Sequence, residues 1–152
     1  MLLALAWLVA ATTPAREASF PGLGTLVVPD GCVHKPREGI DSAVGAVECG
    51  RARIEYDIGF ASPGAKPAPR GWCTGPAPGD PAERVPLRVL EVPLDAKRSL
   101  FVCELPPYYS DPARLVAVPS PTVSFYTAVG SPDDASWLLT VALAFRPPAT
   151  SR

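Results

Sequence analysis

The sequence contains neither asparagine nor glutamine, and His34 is its only histidine. Without carboxamide side chains, no oxyanion hole can be completed by Asn or Gln, and no Asn-linked glycan can form. The accompanying richness in Ala, Pro, Gly and Arg suits coding in a GC-rich bacterial genome. An excess of either charge is also missing: 14 basic residues face 15 acidic ones, for a net charge of −1. Apart from Lys97-Arg98, Lys and Arg are scattered singly, so the sequence carries neither the footprint of a nucleic-acid binder nor the polybasic patch of a membrane-surface protein. No phosphate-cradling glycine loop, dinucleotide fingerprint or Ca²⁺ loop occurs, and the expectation is a protein without a cofactor.

What is present begins with an apolar run from Leu2 to Ala11. It suits the core of a secretory leader and falls short of the roughly 20 residues that a membrane span needs. Small residues follow at Thr13 and Ala15, and the first charged side chain is Arg16. Residues 1–15 therefore read as a signal peptide cleaved after Ala15, with export to the periplasm or beyond. The alternative is an uncleaved N-terminal anchor, because only the chain's own amino group supplies positive charge there. Residues 16–152 then form a single domain, long enough to bury a core of its own.

Four cysteines, Cys32, Cys49, Cys73 and Cys103, are an even number in a chain read as exported, which points to two disulfides. Zinc sites bring ligands in close pairs, whereas these cysteines are spread along the chain and only Cys32 and His34 stand near each other. Of the three possible pairings, Cys32–Cys49 with Cys73–Cys103 closes the smaller loops.

Thr25–Val28 reads as a strand ended by Pro29-Asp30-Gly31, with a polar loop following through Gly39. Beyond it, "VGAVEC" and "ARIEYDI" flank Gly50-Arg51, a pair suited to a type II′ hairpin. Counting outward pairs Cys49 with Ala52, Glu48 with Arg53 and Val47 with Ile54. Ile54, Tyr56 and Ile58 then share an apolar face with Val47 and Cys49, while Arg53, Glu55 and Asp57 face away with Glu48. Residues 61–86 carry seven prolines and four glycines and read as a long surface loop, pinned to the body at Trp72 and Cys73. "LRVLEVPL" and "SLFVCEL" form a second hairpin around Asp95–Arg98, with Pro93 marking an edge or a bulge. "RLVAV" and "TVSFYTAV" supply two more strands. Ser131, Pro132, Asp133 and Asp134 open a helix that should run to about Phe145, before Pro147-Pro148. That helix is apolar over so wide an arc that it should lie across the sheet, covered on both flanks. The expected fold is α+β: an antiparallel sheet of six or seven strands with a C-terminal helix packed on one face.

The catalytic constellation available is His34 as base, Asp41 as its orienting carboxylate and Ser42 as nucleophile. The glycine of a nucleophile elbow is missing from "GIDSAVG", and Asp41 and Ser42 read equally as a turn ahead of the strand. His34 with Glu38, Asp41 and Asp57 is the corresponding candidate for a divalent metal. Pro106-Pro107-Tyr108-Tyr109 fits the pattern read by WW domains, a match an exported bacterial protein would have no occasion to use.

Pro29-Asp30-Gly31-Cys32-x-His34, the loop Gly39-Ile40-Asp41-Ser42 with Gly45, and the strand Tyr56-Asp57-Ile58-Gly59 together resemble a group of uncharacterised exported bacterial proteins. The resemblance covers residues 20–60 and brings no activity with it. At the level of shape, the strand "VSFYTAV" followed by the helix "SPDDASWLLTVALAF" is similar to the PsbP-like family of small exported α+β proteins. That likeness implies an accessory or binding subunit.

The reading that follows is an exported, disulfide-stabilised accessory or binding domain for an unknown protein or small-molecule ligand. It is non-catalytic, a monomer or weak oligomer, and without a membrane span once the leader is removed. If it has a site, the expected location is around His34, Asp41, Ser42 and Asp57. The alternatives are a periplasmic hydrolase or metal-dependent enzyme centred on those residues, and a structural envelope protein contacting a partner through the helix or the loop 61–86.

Overall fold

The computed structural model describes residues 16–59, 70–74, 85–107 and 109–149. The leader read at residues 1–15 and most of the loop 61–86 lie outside the described residues.

A seven-stranded antiparallel sheet runs in the order β3-β4-β5-β9-β8-β7-β6. Its strands are β3 (Cys32–Arg37), β4 (Ser42–Cys49), β5 (Ala52–Gly59), β6 (Arg88–Pro93), β7 (Ser99–Leu105), β8 (Arg114–Ser120) and β9 (Val123–Ala128). One helix, α1 (Pro132–Leu143), lies against β5, β8 and β9. A second sheet joins β1 (Arg16–Phe20), β2 (Gly24–Val28) and β10 (Phe145–Arg146). The expected α+β architecture is therefore present, with the small sheet as an addition.

The β4–β5 hairpin has the register counted from sequence, with Cys49 opposite Ala52, Glu48 opposite Arg53 and Val47 opposite Ile54. Gly50 turns at φ +62° while Arg51 keeps a negative φ, the combination a type II′ turn uses. The second hairpin closes where Asp95 accepts hydrogen bonds from the backbone N–H groups of Lys97 and Arg98. Pro93 ends the edge strand β6, where a missing N–H costs the sheet no ladder bond.

Two boundaries and the place of one strand differ from the sequence reading. Residues 32–37, read as part of a loop, form edge strand β3, whereas the strand at 24–28 belongs to the small sheet. The helix stops at Leu143, and Phe145 turns away to pair with Leu26. Its flanks are also less covered than expected: Leu139 and Leu143 are exposed beside Ser136 and Thr140. The N-terminus of α1 does follow its start signal. Ser131 Oγ accepts from the Asp134 N–H, and the Asp134 carboxylate accepts from the Ser131 N–H, a reciprocal capping box.

The core lies on the inner face of the large sheet, under α1 and the small sheet. Val47, Ile54, Tyr56, Ile58, Leu100 and Phe125 meet Leu138, Val141 and Ala142 of the helix and Phe20, Leu26 and Phe145 of the small sheet. Cys32–Cys49 joins directly opposed residues of β3 and β4 in this layer. A smaller cluster on the outer face holds Cys73, Cys103, Val116 and Val118.

Tyr56 fills the inner layer only because Gly45, opposite it on β4, has no side chain. A methyl group there would lie 2.6 Å from Tyr56 Cζ and 2.7 Å from the Lys35 carbonyl oxygen, far inside contact distance. Gly45→Ala should therefore destabilise the domain by about 1–3 kcal/mol, the usual cost of overpacking. Urea unfolding of the oxidised protein checks this. A variant as stable as the parent would show that the Tyr56 ring does not sit over Gly45.

Candidate functional site

His34 lies on β3 opposite Val47, with its side chain on the inner face. Its Nε2 and the Tyr56 hydroxyl share a hydrogen bond of 2.7 Å, and the two rings stack with centroids 5.6 Å apart. Phe20 meets the His34 ring edge-on at 6.5 Å and the Tyr56 ring at 5.7 Å. Tyr56 is only 1% exposed, so its hydroxyl relies on a protein partner, and His34 provides it.

The other residues considered with His34 are placed elsewhere. Ser42 opens β4 opposite Gly59, and Asp41 is exposed in the bend before it. Val47, the neighbour of His34, stands five positions further along β4, so Ser42 is about 16 Å away along the strand. Asp57 pairs with Val44 and Ser124 and points to the outer face, opposite to His34. The constellation His34, Asp41 and Ser42 is thus not assembled, because its members occupy distant register positions. His34 and Asp57 cannot share an ion because their side chains lie on opposite faces of the sheet. Among the described residues, no three His, Cys, Asp or Glu side chains converge as a metal would require. Nor, among those residues, is any helix long and apolar enough to cross a membrane.

The outer face carries a different arrangement. On β3, β4 and β5 it is a ladder of alternating charge. Lys35 and Arg53 both pair with Glu48 at 2.6 Å, and Arg37 pairs with Glu55 at 2.9 Å. Arg53 also approaches Glu55 at 3.6 Å. The Lys35 hydrogen bond holds the Glu48 carboxyl below the usual range. Exposed pairs such as these add little stability each, but like charges directly opposed are avoided.

On β9, β8 and β7 the same face is apolar and carries the segment Arg70–Thr74. The Cys73–Cys103 disulfide ties this segment to β7. Gly71 adopts φ +51°, and a side chain there would press on Val118 at 3.0 Å, so the segment can lie close to the sheet only with glycine at this point. Trp72 then stacks on Tyr126, with centroids 4.8 Å apart and planes 28° from parallel. The Arg114 guanidinium lies 5.0 Å from the centre of the same tyrosine ring, and Arg70 lies 5.5 Å from that of Phe101. Burial pushes the Tyr126 phenol above its usual range, and the carboxylates of Glu55 and Asp57 add to the effect against Arg114 and Arg37. Sequence alone shows Trp72 and Cys73 as a point of attachment; Tyr126 as the ring beneath Trp72 had no local signal. Of the expected site residues, Asp57 alone borders this arrangement.

Comparison with protein-family models, with curated proteins and with solved structures finds no match to this chain. The fold class, an α+β domain with two disulfides, is therefore established by the architecture itself.

Burial lowers the His34 pKa below its ordinary value. The unfolded chain then binds a proton at higher pH than the folded one. The associated stability is complete above the unfolded imidazole pKa of about 6.5 and is lost as pH falls through the folded pKa. Urea unfolding between pH 7.5 and 5 should show this loss in the parent and not in His34→Ala. At neutral pH, His34→Ala should itself cost about 1–3 kcal/mol, because the buried Tyr56 hydroxyl loses its partner. A variant of unchanged stability would assign His34 some task other than supporting Tyr56.

Proposed function

We propose that this chain is an exported, disulfide-stabilised accessory domain that binds a ligand or partner without transforming it, using the outer face of the large sheet. The observation that carries this reading is Trp72, held on Tyr126 by a disulfide and a glycine turn yet still 37% exposed. A large aromatic fixed at low entropic cost, beside polar groups already held in place by ion pairs, is what a recognition surface needs. Two disulfides fit an oxidising compartment, and a leader ending at Ala15 would release a chain whose next residue opens β1. The PsbP-like resemblance points the same way, toward an accessory subunit. The hydrolase alternative has less support, since the base it requires is already bonded to Tyr56.

Chemical-shift mapping with a library of small polar fragments tests the location. Perturbations should concentrate on Trp72, Tyr126, Glu55 and Arg37. Concentration on Phe20, His34 and Tyr56, or on the exposed Leu139 and Leu143 of the helix, would contradict the assignment.

A further inference from the structure

We propose that the outer face beside Trp72 binds carbohydrate, with the indole taking the C–H face of a sugar ring and the side chains of Glu55, Asp57 and Arg37 taking its hydroxyls. The proposal rests on the outer face being the binding surface and adds the class of ligand.

Three features of the geometry lead there. The first is the position of the indole at a boundary. Tyr126, under Trp72, stands opposite Glu55, and Ser124, close to Gly71, stands opposite Asp57. The segment Arg70–Thr74 lies over β8, β7 and β9, and the two carboxylates stand on β5, the next strand beyond β9, where the apolar half of the face gives way to the charged half. A sugar ring is amphipathic in the same sense, with an apolar C–H face and a polar rim.

The second is charge. The ionised groups acting on Tyr126 are Glu55 and Asp57 on one side of the balance and Arg114 and Arg37 on the other, two of each sign. With Lys35 and Arg53 tied to Glu48 and Arg70 set over Phe101, such a set offers a polyanion or a polycation little net attraction, and it favours a neutral ligand rich in hydrogen-bonding groups. A hydroxyl both donates and accepts, so it can bridge a carboxylate and a guanidinium held side by side, as Glu55 and Arg37 are at 2.9 Å.

The third is availability. Among the described residues the Asp57 side chain has no hydrogen bond or ion pair, although Asp57 is half-buried between Val44 and Ser124. Its carboxylate has full acceptor capacity in the place where a ring stacked on Trp72 would present a hydroxyl. Arg37 and Glu55, by contrast, fix each other's direction and form a preorganised floor.

The test is a titration of the oxidised protein, followed by NMR, with neutral hexasaccharides of glucose, N-acetylglucosamine and xylose, beside heparin and spermine. At least one hexasaccharide should shift the Trp72 indole and Tyr126 ring signals with a Kd of about 0.1–5 mM. Trp72→Ala should weaken that binding at least about tenfold and Asp57→Ala about threefold, a graded loss fitting a central aromatic and a peripheral acceptor. Asp57→Ala removes no side-chain hydrogen bond or ion pair, and urea unfolding of that variant, expected to match the parent, separates loss of binding from loss of structure. Absence of any response to the hexasaccharides at about 10 mM, or binding retained in Trp72→Ala, overturns the carbohydrate assignment. Heparin or spermine shifting Trp72 while the sugars do not would also overturn it, yet would leave this face as the binding surface. Sugars and fragments perturbing only residues elsewhere would remove the surface as well.

Discussion

Gly71–Cys73 form a single 3-10 turn, within a sequence of seven prolines and four glycines in 26 residues, and one such turn is too short to hold a side chain in place by itself. The Cys73–Cys103 bond supplies that constraint from outside, anchoring one turn of the stretch to the middle of β7. Trp72 is placed by this bond and by the left-handed Gly71, which brings the backbone down onto Val118 and Ser124. The outer apolar cluster depends on the same anchor, since Cys73 and Cys103 make up half of its four buried members. Cys32–Cys49 has a different place, joining two strands that are already hydrogen-bonded neighbours in the inner layer.

The two faces of the large sheet thus have different purposes. The inner face is covered by α1 and the small sheet except at edge strand β6, whose residues are all exposed, and its one titratable histidine supports a buried tyrosine. The outer face is divided across its width. One half is covered by the tethered turn, and the other is a lattice of opposite charges open to water. Side chains at the dividing line are held by separate contacts: Trp72 by stacking on Tyr126 beside the anchored Cys73, Glu55 and Arg37 by mutual pairing. Those contacts, together with the mixed charge around them, are the physical basis for placing recognition there.

Much of this fold was legible in the sequence. The β4–β5 register followed from alternation on either side of Gly50, and the start of α1 followed from Ser131, Pro132 and Asp134. β3 was not legible because its inner-face positions are Cys32, His34 and Pro36, which carry no run of aliphatic residues, and because an edge strand leaves Lys35 and Arg37 in water. β10 has two residues and exists only through its pairing with β2. The role of His34 was hidden for a related reason, since its partner lies 22 residues away and two strands over. Proximity in sequence had grouped His34 with Asp41 and Ser42, whereas the antiparallel path of β3 and β4 separates them. The exposure of Leu139 and Leu143 was likewise set by how far the helix sinks between its neighbours, a tertiary quantity.

A single disulfide positions Trp72 on Tyr126. Nuclear Overhauser contacts between the Trp72 indole and the Tyr126 ring, recorded in the oxidised protein and in a Cys73→Ala/Cys103→Ala variant, test it most directly. Strong contacts are expected in the parent and their loss in the variant, while the Phe20, His34 and Tyr56 contacts of the inner layer persist. Contacts between Trp72 and Tyr126 that survive without the disulfide, or that are absent from the oxidised parent, would contradict it.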